Sequence, residues 1–115
     1  MEKIMEKIIA QQGDCILVEA SVVPETAKRV PLVGQQVFVV LKGEGVNTHE
    51  LRSASLTDDI EAYLDSDILY LKTIKDVPLV HEEHGTTIIG KNQTIKRRIE
   101  REFDYEEMEA RNTQD

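Results

Sequence analysis

The order of apolar and polar positions predicts a chain built mostly from short strands. Short apolar runs rich in β-branched residues recur along it, and glycine, proline or aspartate turn signals separate them. The clearest runs are Cys15–Ala20, Gln35–Leu41, Val77–Val80 and Thr86–Ile89. Turn signals follow at Gln12-Gly13-Asp14 and Gly43-Glu44-Gly45.

The middle of the chain predicts a β-hairpin. Two apolar runs, Ile60–Leu64 and Ile68–Ile74, flank the polar turn Asp65-Ser66-Asp67. A short helix from Thr57 to Leu64 is the competing interpretation, because Thr57 has a side chain suited to an N-cap. We favour the hairpin.

Three other segments are less uniform. Met1–Gln12 has apolar residues at helical spacing over barely two turns, so a short helix and a first strand are both open. The segment between Pro24 and Pro31 is polar and predicts a surface loop. From Thr94 onward, Ile95, Ile99 and Phe103 are four residues apart, which favours a helix by pattern and propensity alone.

The predicted fold is all-β, or β-rich α+β, in a small sandwich or barrel. A chain of 115 residues is expected to form one domain over residues 1–115. Asp104 and Glu107 resemble a capping pair for a short C-terminal helix, and residues 108–115 are expected to fray.

The amino-acid composition limits which binding partners and which cellular compartment we expect. The net charge of −8 argues against direct nucleic-acid binding, which depends on lysine and arginine contacts to phosphate. We expect neither a membrane span nor a secretory segment. The single cysteine, Cys15, has apolar neighbours and is expected to be a buried, unreactive residue. Together these features predict a cytoplasmic protein, in a microbial cell or in a cell that produces virus.

The candidate chemistry centres on the pentapeptide His81-Glu82-Glu83-His84-Gly85, which holds two of the three histidines. The chain here resembles a family of small bacterial and phage proteins for which no activity is known. The resemblance rests on Gln11-Gln12-Gly13-Asp14, Val46-Asn47-Thr48-His49, the pentapeptide itself and Arg101-Glu102-Phe103-Asp104. It covers residues 11 to 107, implies a cupin-like β-fold with a histidine cluster, and favours a strand over residues 94–103. Asn47 stands where the family has a first histidine, so only His49 matches.

A metal site is one hypothesis for the histidines. His49, His81 and His84, with a carboxylate from Glu50, Glu82 or Glu83, are ligands that suit zinc, iron or manganese. Residues three apart on a strand point to opposite faces, so His81 and His84 can share an ion only if the backbone turns between them. The other hypothesis is structural: the imidazoles fix a turn by hydrogen bonding to the backbone and to nearby carboxylates.

Two function classes follow. The favoured class is a non-enzymatic binding or structural module that acts through its surface, as an oligomer or with a protein partner, such as a phage virion accessory or an inhibitor of a host protein. The alternative is a small cupin-like metal-dependent enzyme with Glu82 or Glu83 as general base. A third hypothesis, an anion site made by Arg97, Arg98 and Arg101, ranks last, because alternation along a strand would separate Arg98 from the other two.

Overall fold

The computed structural model describes residues 7–42 and 47–98, and these residues form two antiparallel sheets. The strands are β1 (Ile8–Gln12), β2 (Cys15–Glu19), β3 (Lys28–Val30), β4 (Val37–Lys42), β5 (Thr48–Arg52), β6 (Ile60–Asp65), β7 (Ile68–Thr73), β8 (Val77–His81), β9 (Gly85–Ile89) and β10 (Thr94–Arg97). One turn of helix, α1 (Leu56–Asp59), precedes β6. The prediction of an all-β or β-rich fold is confirmed. No helix in the described ranges is long and apolar enough to cross a membrane.

The strand order places one hairpin of each sheet near the other. The larger sheet has the order β1-β2-β10-β7-β6-β3, and the smaller sheet has the order β4-β5-β8-β9. Strand β1 also contacts β9 of the smaller sheet. The turn between β1 and β2 is thereby brought to the turn between β8 and β9.

One apolar core lies between the sheets. It draws on strands of both sheets and on α1, and each leucine or isoleucine buried there stabilises the fold by about 1.5–3 kcal/mol relative to an exposed side chain. The fully buried members with the largest side chains are Leu17, Leu51, Leu56, Ile60, Leu69, Leu71, Leu79, Ile89 and Ile95.

The predicted hairpin in the middle of the chain is confirmed. Strands β6 and β7 pair from Ile60 with Thr73 to Asp65 with Ile68, around a turn in which Ser66 has a positive φ of 58°. The competing helix from Thr57 to Leu64 is wrong. The helix α1 begins one residue earlier and ends where Ile60 enters the sheet, because the residues from Ile60 onward pair with β7.

The N-terminal segment forms strand β1 over Ile8–Gln12, which decides between the two alternatives left open there. The surface loop predicted between Pro24 and Pro31 is corrected, because Lys28–Val30 pairs with the outer edge of β6. Thr94–Arg97 is a strand, against the helical pattern. The predicted turn at 43–45, the segment 99–103, the C-terminal helix and the tail at 108–115 lie outside the described residues.

Cys15 is fully buried in the core, as the sequence predicts. Burial raises the pKa of its thiol to about 12, against a smaller lowering effect of Arg97. Because only the thiolate reacts readily, we expect a disulfide-exchange reagent at pH 8 to label Cys15 in urea but not in the native protein. Labelling of the native protein as fast as of the unfolded chain would contradict this burial.

Candidate functional site

Three separate parts of the sequence meet at one place on the surface. They are the β1–β2 turn at Gln12-Gly13-Asp14, His49 on β5, and the pentapeptide from His81 to Gly85 between β8 and β9. The ring centroids of His49 and His81 are 4.2 Å apart, and those of His81 and His84 are 4.6 Å apart. The structure therefore brings together all three histidines that the sequence singled out.

A turn after His81 explains how two histidines three residues apart come to share one side of the molecule. Strand β8 ends at His81, and the backbone turns over residues 82–84 before β9 begins. Gly85 closes this turn with a φ of +80°, a conformation that residues with a side chain rarely adopt. The condition set by the sequence argument, a backbone turn between the two histidines, is met.

His81 stabilises this turn through its own ring. Its Nδ1 accepts hydrogen bonds from the backbone N–H groups of Glu83 at 3.0 Å and His84 at 3.2 Å. Asparagine and aspartate side chains hold turns in the same way. Because Nδ1 acts as an acceptor, the proton of the neutral ring is on Nε2.

Gln12 connects the β1–β2 turn to the other sheet. Its side chain is only 2% exposed, and its Nε2 donates to the carbonyl oxygens of Leu79 at 2.8 Å and Gly85 at 3.0 Å. These two acceptors fix the orientation of the amide, so Oε1 faces the Nδ1 of His49 at 2.8 Å. One buried amide thus joins β1, β5, β8 and the start of β9.

His49 holds the opposite tautomer to His81. Its Nδ1 lies against the Oε1 of Gln12, so Nδ1 carries the proton and Nε2 carries a lone pair. The pKa of His49 is lowered, mainly because the ring is buried. The neighbouring rings of His81 and His84 lower this pKa further, whereas Asp14 raises it. The Nε2 atom faces the carboxylate of Asp14, with 3.4 Å between Nε2 and Oδ1.

Gly13 lets the ring of His84 lie directly on the β1–β2 turn. A Cβ atom at this position would stand 2.6 Å from the Nε2 of His84, which is closer than real contacts allow. Gly13 also has a φ of +61°. Another residue at position 13 would be strained by this φ, and its Cβ would push the exposed ring of His84 off the turn.

The hydrogen bonds test the predicted metal site. A histidine binds a metal through an unprotonated nitrogen, and in His81 that nitrogen already accepts two backbone bonds. In this arrangement His81 has no nitrogen lone pair left over for a zinc, iron or manganese ion. Within residues 7–42 and 47–98, no three histidine, cysteine or acidic side chains are arranged around a common metal position. A metal held by His49, His81 and His84 stays a prediction.

Glu82 and Glu83, the candidate general bases, lie exposed in the turn between β8 and β9. The fold leaves both carboxylates in contact with solvent.

Arg97 of the predicted anion site ends strand β10, and Arg98 follows it. The guanidinium of Arg97 donates to the carbonyl oxygens of Val40 at 2.6 Å and Asp67 at 3.0 Å, which ties β10 to β4 and to the β6–β7 turn. Arg98 is exposed. Arg101 lies outside the described part of the chain.

Sequence reasoning did not identify Gln12 and Asp14 as site residues, although both belong to the motif that carried the resemblance. Their signal was the turn at Gln12-Gly13-Asp14, in which the two-residue loop Gly13-Asp14 joins paired strands. The contacts of Gln12 reach residues 67 and 73 positions away along the chain, and no local pattern announces contacts of that range.

The comparisons with known proteins place the chain in a family and go no further. No curated protein matches it, and no solved structure matches it. A family described as "Domain of unknown function (DUF8820)" matches residues 11–91. This range begins at the β1–β2 hairpin and ends just after β9, so it includes all three parts of the histidine site. The chain belongs to the DUF8820 family.

Proposed function

We propose that the protein is a non-enzymatic binding and structural module that assembles through the outer face of its four-stranded sheet. The observation that carries the proposal is the set of side chains on that face. The histidine site supports it indirectly, because His81 and Gln12 use their polar atoms to hold the β1–β2 turn against the β8–β9 turn. That role stabilises a scaffold.

The outer face consists of two rows of side chains that cross the sheet. The strand pairings place the residues of the first row side by side. The second row follows when the pairing of β5 with β8 is continued to Arg52 and Pro78. The rows are Val39, Glu50, Val80, Thr86 and Val37, Arg52, Pro78, Ile88. The aliphatic side chains at its two edges are well exposed, at 44% for Val37, 45% for Val39 and 62% for Ile88. These exposed apolar side chains on one face support its role as an interaction surface.

The charges on this face favour a second copy of the chain as its occupant. Glu50 and Arg52 are neighbours on β5, and their side chains form an ion pair of 2.9 Å. Hydrogen bonds from Thr48 and Arg52 lower the pKa of Glu50, so its carboxyl is charged at neutral pH. Under a two-fold axis, Glu50 of one copy faces Arg52 of the other, so the face is complementary to itself. Because Glu50 and Arg52 are the charged residues of the two rows, the rows carry no net charge, although the net charge of the chain is −8.

A module that assembles with itself suits the settings inferred from the sequence. In a cytoplasmic or phage context, it would act as a virion accessory, or present the rest of its acidic surface to a host protein. The enzymatic alternative needs His81 as a metal ligand, and the two bonds that Nδ1 accepts argue against that role.

Light scattering after size exclusion, over a range of concentrations, tests the proposal. We expect the full chain to be a dimer, and the double variant Val39→Lys/Ile88→Lys to be a monomer, because two lysines per copy would have to be buried. The matched control is Val22→Lys/Val33→Lys. It also adds two lysines at exposed valines, here 68% and 81% exposed, but away from the sheet.

The control variant is expected to stay a dimer. A full chain that is monomeric at every concentration would overturn the proposal, and so would a control that dissociates as readily as the sheet variant. Circular dichroism of each variant verifies that a change in mass is not a loss of fold.

A further inference from the structure

We propose that the Nε2 of His49 and the carboxylate of Asp14 bind a divalent transition-metal cation such as Zn²⁺, with His84 as the third ligand. This site differs from the one predicted by sequence, because Asp14 takes the place of His81. It is independent of the sheet surface described above. The hydrogen bonds of the buried side chains determine which atoms are free to bind the ion.

Gln12 determines which nitrogen of the His49 ring carries the proton. The amide of Gln12 is held by two carbonyl oxygens, so the atom that it turns toward His49 is an acceptor. The Nδ1 of His49 must therefore be the donor. Its Nε2 is left with a lone pair, on a side chain that is only 1% exposed.

The lone pair on the Nε2 atom of His49 faces the carboxylate of Asp14. The Oδ1 atom of Asp14 stands 3.4 Å from Nε2. In the neutral ring, the Nε2 atom of His49 brings no proton to the contact, so it meets the carboxylate as one acceptor facing another. A cation between them resolves this. Two donor atoms at about 2.1 Å from a tetrahedral zinc ion are about 3.4 Å apart, which is the separation observed.

The surroundings of this pair of side chains favour an ion between them. The bond from Nδ1–H to the oxygen of Gln12 is the outer contact that orients metal-binding histidines and fixes their tautomer. Asp14 is 70% exposed, which leaves a path for an ion to enter.

His84 completes the set from the other side. Its ring is nearly parallel to that of His49, at 12°, and the two centroids are 6.0 Å apart. Its Nε2 lies against Gly13, the residue before Asp14, in a space that any Cβ would fill. His84 is exposed, so its ring can turn toward the ion. The described residues do not place three donors around one position, so binding requires the side chain of His84 to turn toward His49 and Asp14.

The test is competition for Zn²⁺ between a chromophoric chelator and the full chain, after the protein has been stripped with EDTA. We expect one equivalent to bind. Loss of an outer contact to a metal ligand typically weakens affinity by about 10–100-fold, so loss of a ligand is expected to weaken it at least about tenfold. Asp14→Asn is the main variant, because it changes an exposed side chain and leaves the fold in place.

Three further variants separate the ligands. His49→Asn keeps an N–H donor for Gln12 but removes Nε2, and we expect it to lose binding. His81→Asn keeps the acceptor that holds the turn carrying His84, and we expect it still to bind one equivalent of Zn²⁺, because His81 is not a ligand of this site. Asp58→Asn, an exposed acid on α1, is the control and is expected to bind unchanged.

Absence of Zn²⁺ uptake by the stripped chain would overturn the proposal. Equal affinity of the Asp14→Asn variant and the natural chain would also overturn it. Loss of binding in His81→Asn, with Asp14→Asn unaffected, would replace it with the three-histidine site.

Discussion

Replacing Gln12 with leucine is expected to lower the free energy of unfolding by about 3 kcal/mol. The side chain is buried, and leucine fills similar space, so the change removes hydrogen bonds more than volume. It leaves the Nδ1–H of His49 without an acceptor and takes a donor from the carbonyls of Leu79 and Gly85. Each buried polar group that loses its partner costs about 1–3 kcal/mol.

Gln11→Leu is the matched control for this prediction. It is the same substitution one residue earlier on β1, at an exposed position, and is expected to change stability by less than about 0.5 kcal/mol. Urea unfolding followed by circular dichroism measures both variants, and an unchanged slope shows that the comparison concerns stability alone. If the two leucine variants unfold at the same urea concentration, Gln12 does not join the sheets.

The sequence predicts the strands well because their signals are local. Hydrophobic runs and turn residues located β2, β8, β9 and the β6–β7 hairpin without reference to the rest of the chain. The strand order is a different matter. Gln35–Leu41 had the strongest strand pattern, yet it lies at the edge of the smaller sheet as β4, with Val37 and Val39 largely exposed. The sequence pattern shows how apolar a strand is. Whether other elements cover its side chains depends on its position in the sheet.

The histidine site shows the same division. The pentapeptide and His49 were recognisable as a group from composition and resemblance, and the turn that His81 and His84 needed was signalled by Gly85. The hydrogen-bond partner of the His49 ring could not be recognised from the sequence in this way. Gln12 appears in the sequence as a polar residue beside a turn, and only its contacts across the two sheets show that it binds His49.

Asparagine at position 81 is expected to give a more stable protein than leucine, by about 1–2 kcal/mol, although the site is buried. The two side chains have nearly the same shape, so both lose the packing of the His81 ring on His49 equally. They differ in the oxygen that asparagine places where Nδ1 accepts from the N–H groups of Glu83 and His84. Thermal unfolding of both variants measures the difference.

The result separates the two roles of His81. If the ring only filled space, leucine would be the better replacement, because burial of an apolar side chain is favourable and burial of an amide is not. A leucine variant as stable as the asparagine variant would therefore contradict the turn-fixing role. Long-range ¹H–¹⁵N spectra of the natural protein check the cause directly. We expect an unprotonated Nδ1 in His81 and a protonated Nδ1 in His49, because the first ring accepts backbone bonds and the second donates to Gln12.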